Sequence, residues 1–264
     1  FLHIDMSERT PQDHRKGIYP ALPRCPFLDN SAVRGSIDAL FHFVWPQRCP
    51  VCGRMGVSHC DSCLRSAASP LPPFCAKCGA PFGAGCCSGS VPCCALSLHE
   101  GISRDILLEL KYKNVRALGI PMGRLLGETF DSVRADMLIP IPLHISGRRE
   151  YNQSLLLAEG VSSVWGIPAE DGALIWRKNI GSQAGKTGHS RNMMPPDAME
   201  ASKSLDGLSV VLVDDVYTTG NTMRTAISAV ERAGGTVSSV LVWSRRVPSQ
   251  ENEASWKGID ADRA

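Results

Sequence analysis

The chain has 264 residues, of which 43% are hydrophobic, and its formal net charge at pH 7 is +2. This length accommodates one sizeable domain and one small domain, and so mild a charge gives no argument by itself for nucleic-acid binding. No apolar run approaches the ~18–20 residues of a membrane span, and the first residues are too polar for a signal peptide, so we expect a cytoplasmic protein without membrane insertion.

The first 45 residues predict a tail followed by one helix. Residues 1–30 show no periodicity and contain four prolines, so we expect them to be disordered or loosely attached. Apolar residues at helical spacing predict an amphipathic helix over residues 31–45 that packs on the rest of the chain. A membrane-facing helix is the alternative, but the polar face lacks the lysines typical of one.

The segment that follows is rich in cysteine, with ten of the 11 cysteines between residues 49 and 94. Two closely spaced CxxC pairs can place four thiolates around one tetrahedral zinc ion. The ligands of this first site are Cys49, Cys52, Cys60 and Cys63. Metal would supply the folding energy that so short a segment cannot obtain from a hydrophobic core.

A third CxxC pair, Cys75 and Cys78, predicts a second zinc site. Its remaining ligands come from two vicinal pairs, and we assign Cys87 and Cys94 in preference to Cys86 and Cys93. The spacing also allows the knuckles to pair in an interleaved way. A disulfide framework or a CxxC redox centre are alternatives, but three such motifs in a row without strands between them are not typical of redox folds.

From residue 98 the chain alternates between helical and extended patterns. Helices are predicted over residues 98–113, 118–130, 151–165 and 221–233, and strands over 136–142, 173–176, 208–213 and 236–243. Strands that alternate with helices predict an α/β fold, a parallel sheet with helices on both faces. The predicted domains are 31–97, the helix and double zinc ribbon, and 98–247, the α/β domain; residues 248–264 form a polar tail.

The strand over 208–213 leads into the most informative motif of the chain. Two adjacent acids, Asp214 and Asp215, follow it at the strand end where open α/β sheets bind ligands. A loop of small residues, 218–222, then leads into a helix and offers free N–H groups and hydroxyls for a phosphate. Acids beside a phosphate loop suit a ligand that carries both a diol and a phosphate, such as a sugar phosphate. A structural turn with a solvated acidic pair is the alternative.

This stretch resembles the signature of the type I phosphoribosyltransferases, which bind phosphoribosyl pyrophosphate (PRPP). The resemblance implies that Asp214 and Asp215 contact the ribose hydroxyls and that the loop wraps the 5-phosphate. The PRPP-binding residues implied in the loop and directly before it are Val216, Tyr217, Thr218, Thr219, Gly220, Asn221 and Thr222.

A basic patch precedes the helix predicted over 151–165. Arg148 and Arg149 come before Tyr151, Asn152 and Gln153. With the preceding strand and loop, this segment resembles the ComF family, which joins an N-terminal zinc ribbon to a phosphoribosyltransferase domain. The family's usual run is Arg-Gly-Phe-Asn-Gln, and here Glu150 replaces the glycine, so that a carboxylate lies near the expected pyrophosphate. A solvated basic turn is the alternative.

Two further segments resemble the same family. The helix over 98–113 ends in the Leu-Lys-Tyr run that includes Lys111, and residues 177–192 resemble the mobile loop that closes over the site in active transferases. The run at 181–187 also resembles a nucleotide-binding P-loop, but only three residues separate its glycines where that motif needs four.

The resemblance implies a ComF-like phosphoribosyltransferase linked to bacterial competence and DNA uptake or to nucleotide metabolism. It implies Asp214, Asp215, Arg177 and Lys178 as catalytic residues, and Arg148, Arg149 and Lys111 as further PRPP ligands. It also implies structural zinc, Mg²⁺ bound with PRPP, and a DNA-translocating helicase and single-stranded DNA as partners. The alternative is a non-catalytic module that senses PRPP and docks the helicase or DNA through its zinc ribbon.

Overall fold

The computed structural model describes residues 48–83, 85–113, 115–144, 151–177, 195 and 197–247. These residues belong to one compact unit, Pro46–Ala264. The predicted N-terminal tail, the helix over 31–45 and the polar C-terminal tail lie outside the described residues. None of the helices in the described segments is both long and apolar enough to cross a lipid bilayer.

Five α-helices and seven β-strands form the described structure. The helices are α1 (Asp61–Arg65), α2 (Gly101–Tyr112), α3 (Gly119–Thr129), α4 (Gln153–Trp165) and α5 (Asn221–Arg232), and a short 3-10 helix covers Arg116–Leu118. The strands are β1 (Phe74–Cys75), β2 (Pro92–Leu98), β3 (Met137–Pro140), β4 (Leu174–Trp176), β5 (Met199–Ala201), β6 (Ser209–Tyr217) and β7 (Thr236–Arg245).

The main sheet has the strand order β1-β2-β7-β6-β3. Strands β2, β7, β6 and β3 run parallel, and only β1 pairs antiparallel, at the edge beside β2. Strand β6 lies inside the sheet, and its run from Val210 to Val213 is fully buried. Such a continuous apolar run is typical of a parallel strand that is covered on both faces. Strands β4 and β5 form a separate antiparallel pair.

Two hydrophobic clusters cover the two faces of the main sheet. Val210 and Leu212 belong to the cluster that includes the apolar residues of α5, β4 and β5. Val211 and Val213 belong to the cluster that includes α2, α3 and α4. This alternation follows from the period of two along a strand. The predicted fold class, a parallel sheet with helices on both faces, is therefore confirmed.

Helix α4 starts at the carboxyl end of β3 and has clear sequence signals at both ends. The Asn152 side chain accepts a hydrogen bond from the Ser154 backbone N–H at 3.1 Å, and Gly166 ends the helix with φ 70°. These are the usual N-cap and C-cap devices of a helix. The cap fixes Ser154 in the first turn of α4, at the same edge of the sheet as the end of β6.

Strand β2 lies within the cysteine-rich segment, where no strand was predicted. Cys93 pairs with Val240 of β7 and Cys94 with Leu241. Cys93 is fully buried in the cluster of the α5 face, whereas Cys94 packs against the cluster on the opposite face. The cysteine-rich segment therefore contributes a strand to the main sheet.

Candidate phosphate and sugar site

The two acids of the motif lie at the carboxyl end of β6, each with a polar partner from a different helix. Lys111 of α2 places its Nζ 2.7 Å from Oδ1 of Asp215, and these side chains are only 13% and 12% exposed. Ser154 of α4 donates its hydroxyl to Oδ1 of Asp214 at 2.9 Å. The backbone N–H of Asp215 donates to the same oxygen at 2.8 Å. Helices on one face of the sheet thus position both carboxyl groups.

The two carboxyl groups differ in their electrostatic environment. Burial raises the pKa of Asp214 to about 7, and the neighbouring negative charge of Asp215 adds to the effect. The hydrogen bonds from Ser154 and the Asp215 backbone oppose that rise, because they stabilise the charged form. Asp215 has the ammonium of Lys111 as its counter-ion. One acid is therefore held by a cation and the other by neutral donors, which suits acceptance of hydrogen bonds from sugar hydroxyls.

The loop after β6 has the geometry of an anion site. Thr218 and Thr219 are exposed, and Gly220 stands before α5 in the left-handed conformation with φ 74°. Among the described residues, no backbone carbonyl accepts a hydrogen bond from the N–H of Thr218, Thr219 or Gly220. These donors precede the positive end of a 12-residue helix. Free amides beside a helix N-terminus are a typical binding site for phosphate.

The other predicted residues of the loop have mixed roles. Tyr217 is buried, and its hydroxyl donates to the Ala76 carbonyl at 3.3 Å. Val216 packs against the α2–α4 cluster. Asn221 accepts a hydrogen bond from Arg224. Tyr217 and Val216 therefore anchor the start of the loop in the protein interior, and Thr218 and Thr219 lie on its exposed side.

The cysteines form two groups of four. The Sγ atoms of Cys49, Cys52, Cys60 and Cys63 lie within 4.8 Å of one another, and so do those of Cys75, Cys78, Cys86 and Cys87. We call these the first and second clusters. The distances Cys52–Cys60, 3.6 Å, and Cys78–Cys86, 3.5 Å, are close to the separation of about 3.8 Å between thiolates bound tetrahedrally at about 2.3 Å. Both clusters therefore fit a structural zinc ion.

In each cluster, hydrogen bonds from backbone N–H groups lower the pKa of one thiol. Burial opposes ionisation of Cys49 and Cys75, but hydrogen bonds from backbone N–H groups outweigh it and lower the pKa of each to about 6. A thiolate that forms more easily is a better metal ligand. This agrees with the fit of the sulfur positions.

The assignment of Cys94 to the second cluster is wrong. The group that lies together contains Cys86 and Cys87, a vicinal pair, in place of Cys87 and Cys94. Cys94 is held in β2 by parallel pairing with β7, and its side chain packs against the α2–α4 cluster. The first cluster has the four predicted members, and the two clusters are sequential along the chain, not interleaved.

Of the basic residues predicted for the site, only some lie near the acids in the described structure. Lys111 lies beside Asp215, as described above. Arg177 follows β4 and is exposed, and its guanidinium contacts Glu200 at 2.7 Å and Asp197 at 3.6 Å. Glu200 is the main cause of the raised pKa of Arg177. The described contacts of Arg177 thus hold it on the β4–β5 pair. Arg148, Arg149, Glu150 and Lys178 lie outside the described residues.

Three residues at or next to the site are not predicted by the sequence. Ser154 holds Asp214, Arg224 joins α5 to the carbonyl of Lys77 at 2.8 Å, and Arg245 stacks on Phe74 with its guanidinium carbon 3.8 Å from the ring centre. The N-cap signal at Asn152 marks the start of α4. Ser154 reaches Asp214 only because β3, which precedes α4, lies beside β6 in the sheet. No local signal indicates the partners of Arg224 and Arg245.

The fold is an α/β fold in which the two acids and the loop lie at the carboxyl end of a parallel sheet, the place where such folds bind ligands. Comparison with known families narrows the class, since residues 152–263 match the model described as the phosphoribosyl transferase domain. That range includes both acids, the loop and α5. This part of the chain is therefore similar to that family.

Individual relatives share shorter or weaker similarity. The orotate phosphoribosyltransferase of Pyrobaculum calidifontis is 50% identical over 50 residues, which are 18% of this chain and 26% of the relative. The chain thus spans about a quarter of the curated relative that it matches.

Two solved structures illustrate the structural similarity. The purine phosphoribosyltransferase of Pyrococcus horikoshii is 19% identical and has a TM-score of 0.33, with 50% of this chain and 85% of the other covered. The adenine phosphoribosyltransferase of Thermoanaerobacter pseudethanolicus is 14% identical and has a TM-score of 0.34, with 70% and 98% covered. At such TM-scores the likeness adds nothing about the site.

Proposed function

We propose that this protein is a ComF-type phosphoribosyltransferase that binds PRPP at the carboxyl end of β6. The observation that carries the proposal is the pairing of two positioned acids with loop amides that have no backbone acceptor among the described residues, inside the segment similar to the phosphoribosyltransferase family. A diol bound by the acids and a phosphate bound by the loop would belong to one ribose 5-phosphate unit.

The residues of this chain have distinct roles in the proposed reaction. Asp214 and Asp215 accept hydrogen bonds from the ribose hydroxyls, and the amides and hydroxyls of Thr218 and Thr219 donate to the 5-phosphate. As the bond from C1 to pyrophosphate loosens, positive charge develops on the ribose, and the two carboxylates stabilise it. Lys111 orients the Asp215 side chain through their ion pair.

The acids also offer the carboxylate oxygens that Mg²⁺ prefers. When bound with PRPP, Mg²⁺ would neutralise part of the charge of the leaving pyrophosphate. We further propose that Arg148, Arg149, Arg177 and Lys178 contribute cations to the pyrophosphate when ligand is bound, as the family resemblance implies.

The two cysteine clusters support the ComF part of the proposal, because both fit zinc and precede the segment similar to the phosphoribosyltransferase family in the chain. By that resemblance we propose a cytoplasmic role in DNA uptake or nucleotide metabolism, with a DNA-translocating helicase and single-stranded DNA as partners.

One observation favours a second candidate function, a PRPP-sensing module without turnover. Lys111 already occupies Oδ1 of Asp215, and burial favours the protonated form of Asp214 below about pH 7. Both features lower the net charge that the acids can offer to a developing cation. Binding of PRPP would then serve to control how the zinc clusters dock a partner.

The test is pyrophosphate release from PRPP and Mg²⁺ in the presence of a panel of nucleobases. We expect release by the wild-type, zinc-loaded protein and none by the Asp214→Asn/Asp215→Asn variant. The matched control is Asp131→Asn/Asp171→Asn, which removes the same charge at two exposed positions and should retain activity. PRPP binding without release for any acceptor would contradict the transferase and support the sensor.

A further inference from the structure

The turn between the first two ligands of the second cluster contacts the base of the phosphate loop. We call residues 75–79 the zinc turn. Its carbonyls accept three hydrogen bonds from side chains around the loop. Tyr217 donates to Ala76 at 3.3 Å, Arg224 to Lys77 at 2.8 Å, and Arg245 to Gly79 at 2.6 Å. Three contacts of this kind join one short turn to the ends of β6 and β7 and to α5.

These donors hold the loop from both sides. Tyr217 directly precedes Thr218, and Arg224 lies in the first turn of α5, where it also bonds the side chain of Asn221. Arg245 stacks on Phe74, and Phe74 meets the Tyr217 ring edge-on at 4.8 Å. The backbone conformation of the loop is therefore fixed from the zinc turn as well as from its own strand and helix.

The zinc turn and the loop are in close van der Waals contact. A Cβ atom on Gly220 would lie 2.9 Å from Cζ of Tyr217 and 3.3 Å from the carbonyl oxygen of Ala76. A Cβ atom on Gly79 would lie 3.4 Å from the Tyr217 hydroxyl. A further ion pair, Lys77 to Glu231 at 2.9 Å, ties the same turn to the last turn of α5. A displacement of the zinc turn must therefore displace the loop.

The conformation of the zinc turn depends on the second cluster. Cys75 and Cys78 are its first two ligands, and the Gly79 N–H closes the turn on the Cys75 carbonyl at 2.8 Å. Metal that draws the four thiolates together fixes the direction of the carbonyls between them. The first cluster differs, because the neighbouring helix α1 contacts α3 through Arg65 and Glu128 at 2.8 Å.

We propose that the second cluster is a positioning element of the phosphate loop, so that zinc in this cluster and a phosphate ligand in the loop bind cooperatively. The inference rests on the proposed function, since PRPP is the ligand in question. By linkage the coupling is reciprocal: if zinc strengthens PRPP binding, PRPP must retain zinc by the same factor. We expect no such coupling for zinc in the first cluster.

The test follows zinc release from the full-length, zinc-loaded protein into a chromogenic chelator, with and without saturating PRPP and Mg²⁺. The Cys52→Ser variant disrupts the first cluster, so the phase of zinc release that it loses belongs to that cluster and the remaining phase to the second. We expect PRPP to slow release from the second cluster by about fivefold or more, the lower range of typical coupling, and to leave the first cluster unchanged. Calorimetric titration of PRPP accompanies each measurement.

The link itself is tested by Arg224→Met, which removes the bond to the Lys77 carbonyl without touching a cysteine. We expect it to keep both zinc ions and to lose most of the protection by PRPP. Its matched control is Arg232→Met on the same helix, which loses a bond from a guanidinium to the carbonyl of Met199, away from the zinc turn. Tyr217→Phe, which removes one hydroxyl, is the second variant should Arg224→Met fail to fold.

The outcomes separate the two proposals. If PRPP binds but neither release phase slows, or if Arg224→Met retains full protection, the coupling is refuted and the PRPP site stands. If calorimetry shows no PRPP binding by the wild type, the proposed function fails and the coupling fails with it.

Discussion

Replacement of Gly220 by alanine tests how tightly the loop is held. Gly220 has φ 74°, a conformation that costs an L-residue about 1–2 kcal/mol. The added Cβ would collide with the Tyr217 hydroxyl and lie 2.9 Å from Cζ, so the ring must move by roughly an ångström to restore ordinary contact. Phe74, Arg245 and the Ala76 carbonyl hold that ring in place. Loss of the hydrogen bond to Ala76 adds about 0.5–1.5 kcal/mol.

Together these effects predict that Gly220→Ala lowers the free energy of unfolding by about 1.5–3.5 kcal/mol. Gly207→Ala is the matched control, because Gly207 has φ 70° but no atom within 4 Å of its added Cβ. It should cost only the conformational part, about 1–2 kcal/mol. Urea denaturation of the zinc-loaded proteins measures both values. Equal losses in the two variants would refute the close packing of the loop on Tyr217.

Further predictions concern the acids and the cysteines. Lys111→Met should lower the free energy of unfolding by about 3–5 kcal/mol, because it leaves the buried Asp215 carboxylate unpaired. Adding Asp215→Asn should recover most of that loss in a double-mutant cycle, and an additive loss would contradict the ion pair. Burial, and then the charge of Asp215, raise the pKa of Asp214 to about 7 in the folded protein, against its ordinary 3.8. The folded state then binds more protons between these values, so the stability of the wild type relative to Asp214→Asn is greatest below about pH 4 and is lost as the pH rises towards 7. The loss is at most about 4 kcal/mol at 1.36 kcal/mol per pH unit, and a difference that stays constant in urea titrations across this range would contradict it. Metal analysis should find two zinc ions per chain in Cys94→Ser but only one in Cys86→Ser, and the reverse pattern would restore the sequence assignment.

The parts of the fold that the sequence predicted best are local and strongly patterned. The buried run of β6 and the amphipathic stripe of α5 were predicted within a few residues, because hydrophobic period and capping residues act within a single element. The acids and the loop could be predicted as a site for the same reason: they are contiguous in the chain.

The parts that the sequence did not predict depend on contacts between distant segments. The sequence predicts Cys94 as a ligand because β2 has no strand signal of its own. The position of Cys94 is instead fixed by pairing of β2 with β7, some 150 residues later in the chain. The Arg224 and Arg245 contacts with the zinc turn likewise join segments 147 and 166 residues apart. Such pairings follow from strand order, which local patterns do not encode.

The most direct test of the central claim is thermal unfolding of the zinc-loaded protein with and without PRPP and Mg²⁺. At about 100 times its Kd, a ligand adds about 2.7 kcal/mol to the stability of the state that binds it. We predict a clear rise in Tm for the wild type that is absent in Asp214→Asn/Asp215→Asn. A folded, zinc-loaded wild-type protein whose Tm does not change with PRPP would contradict the account of the acids and loop as a PRPP site.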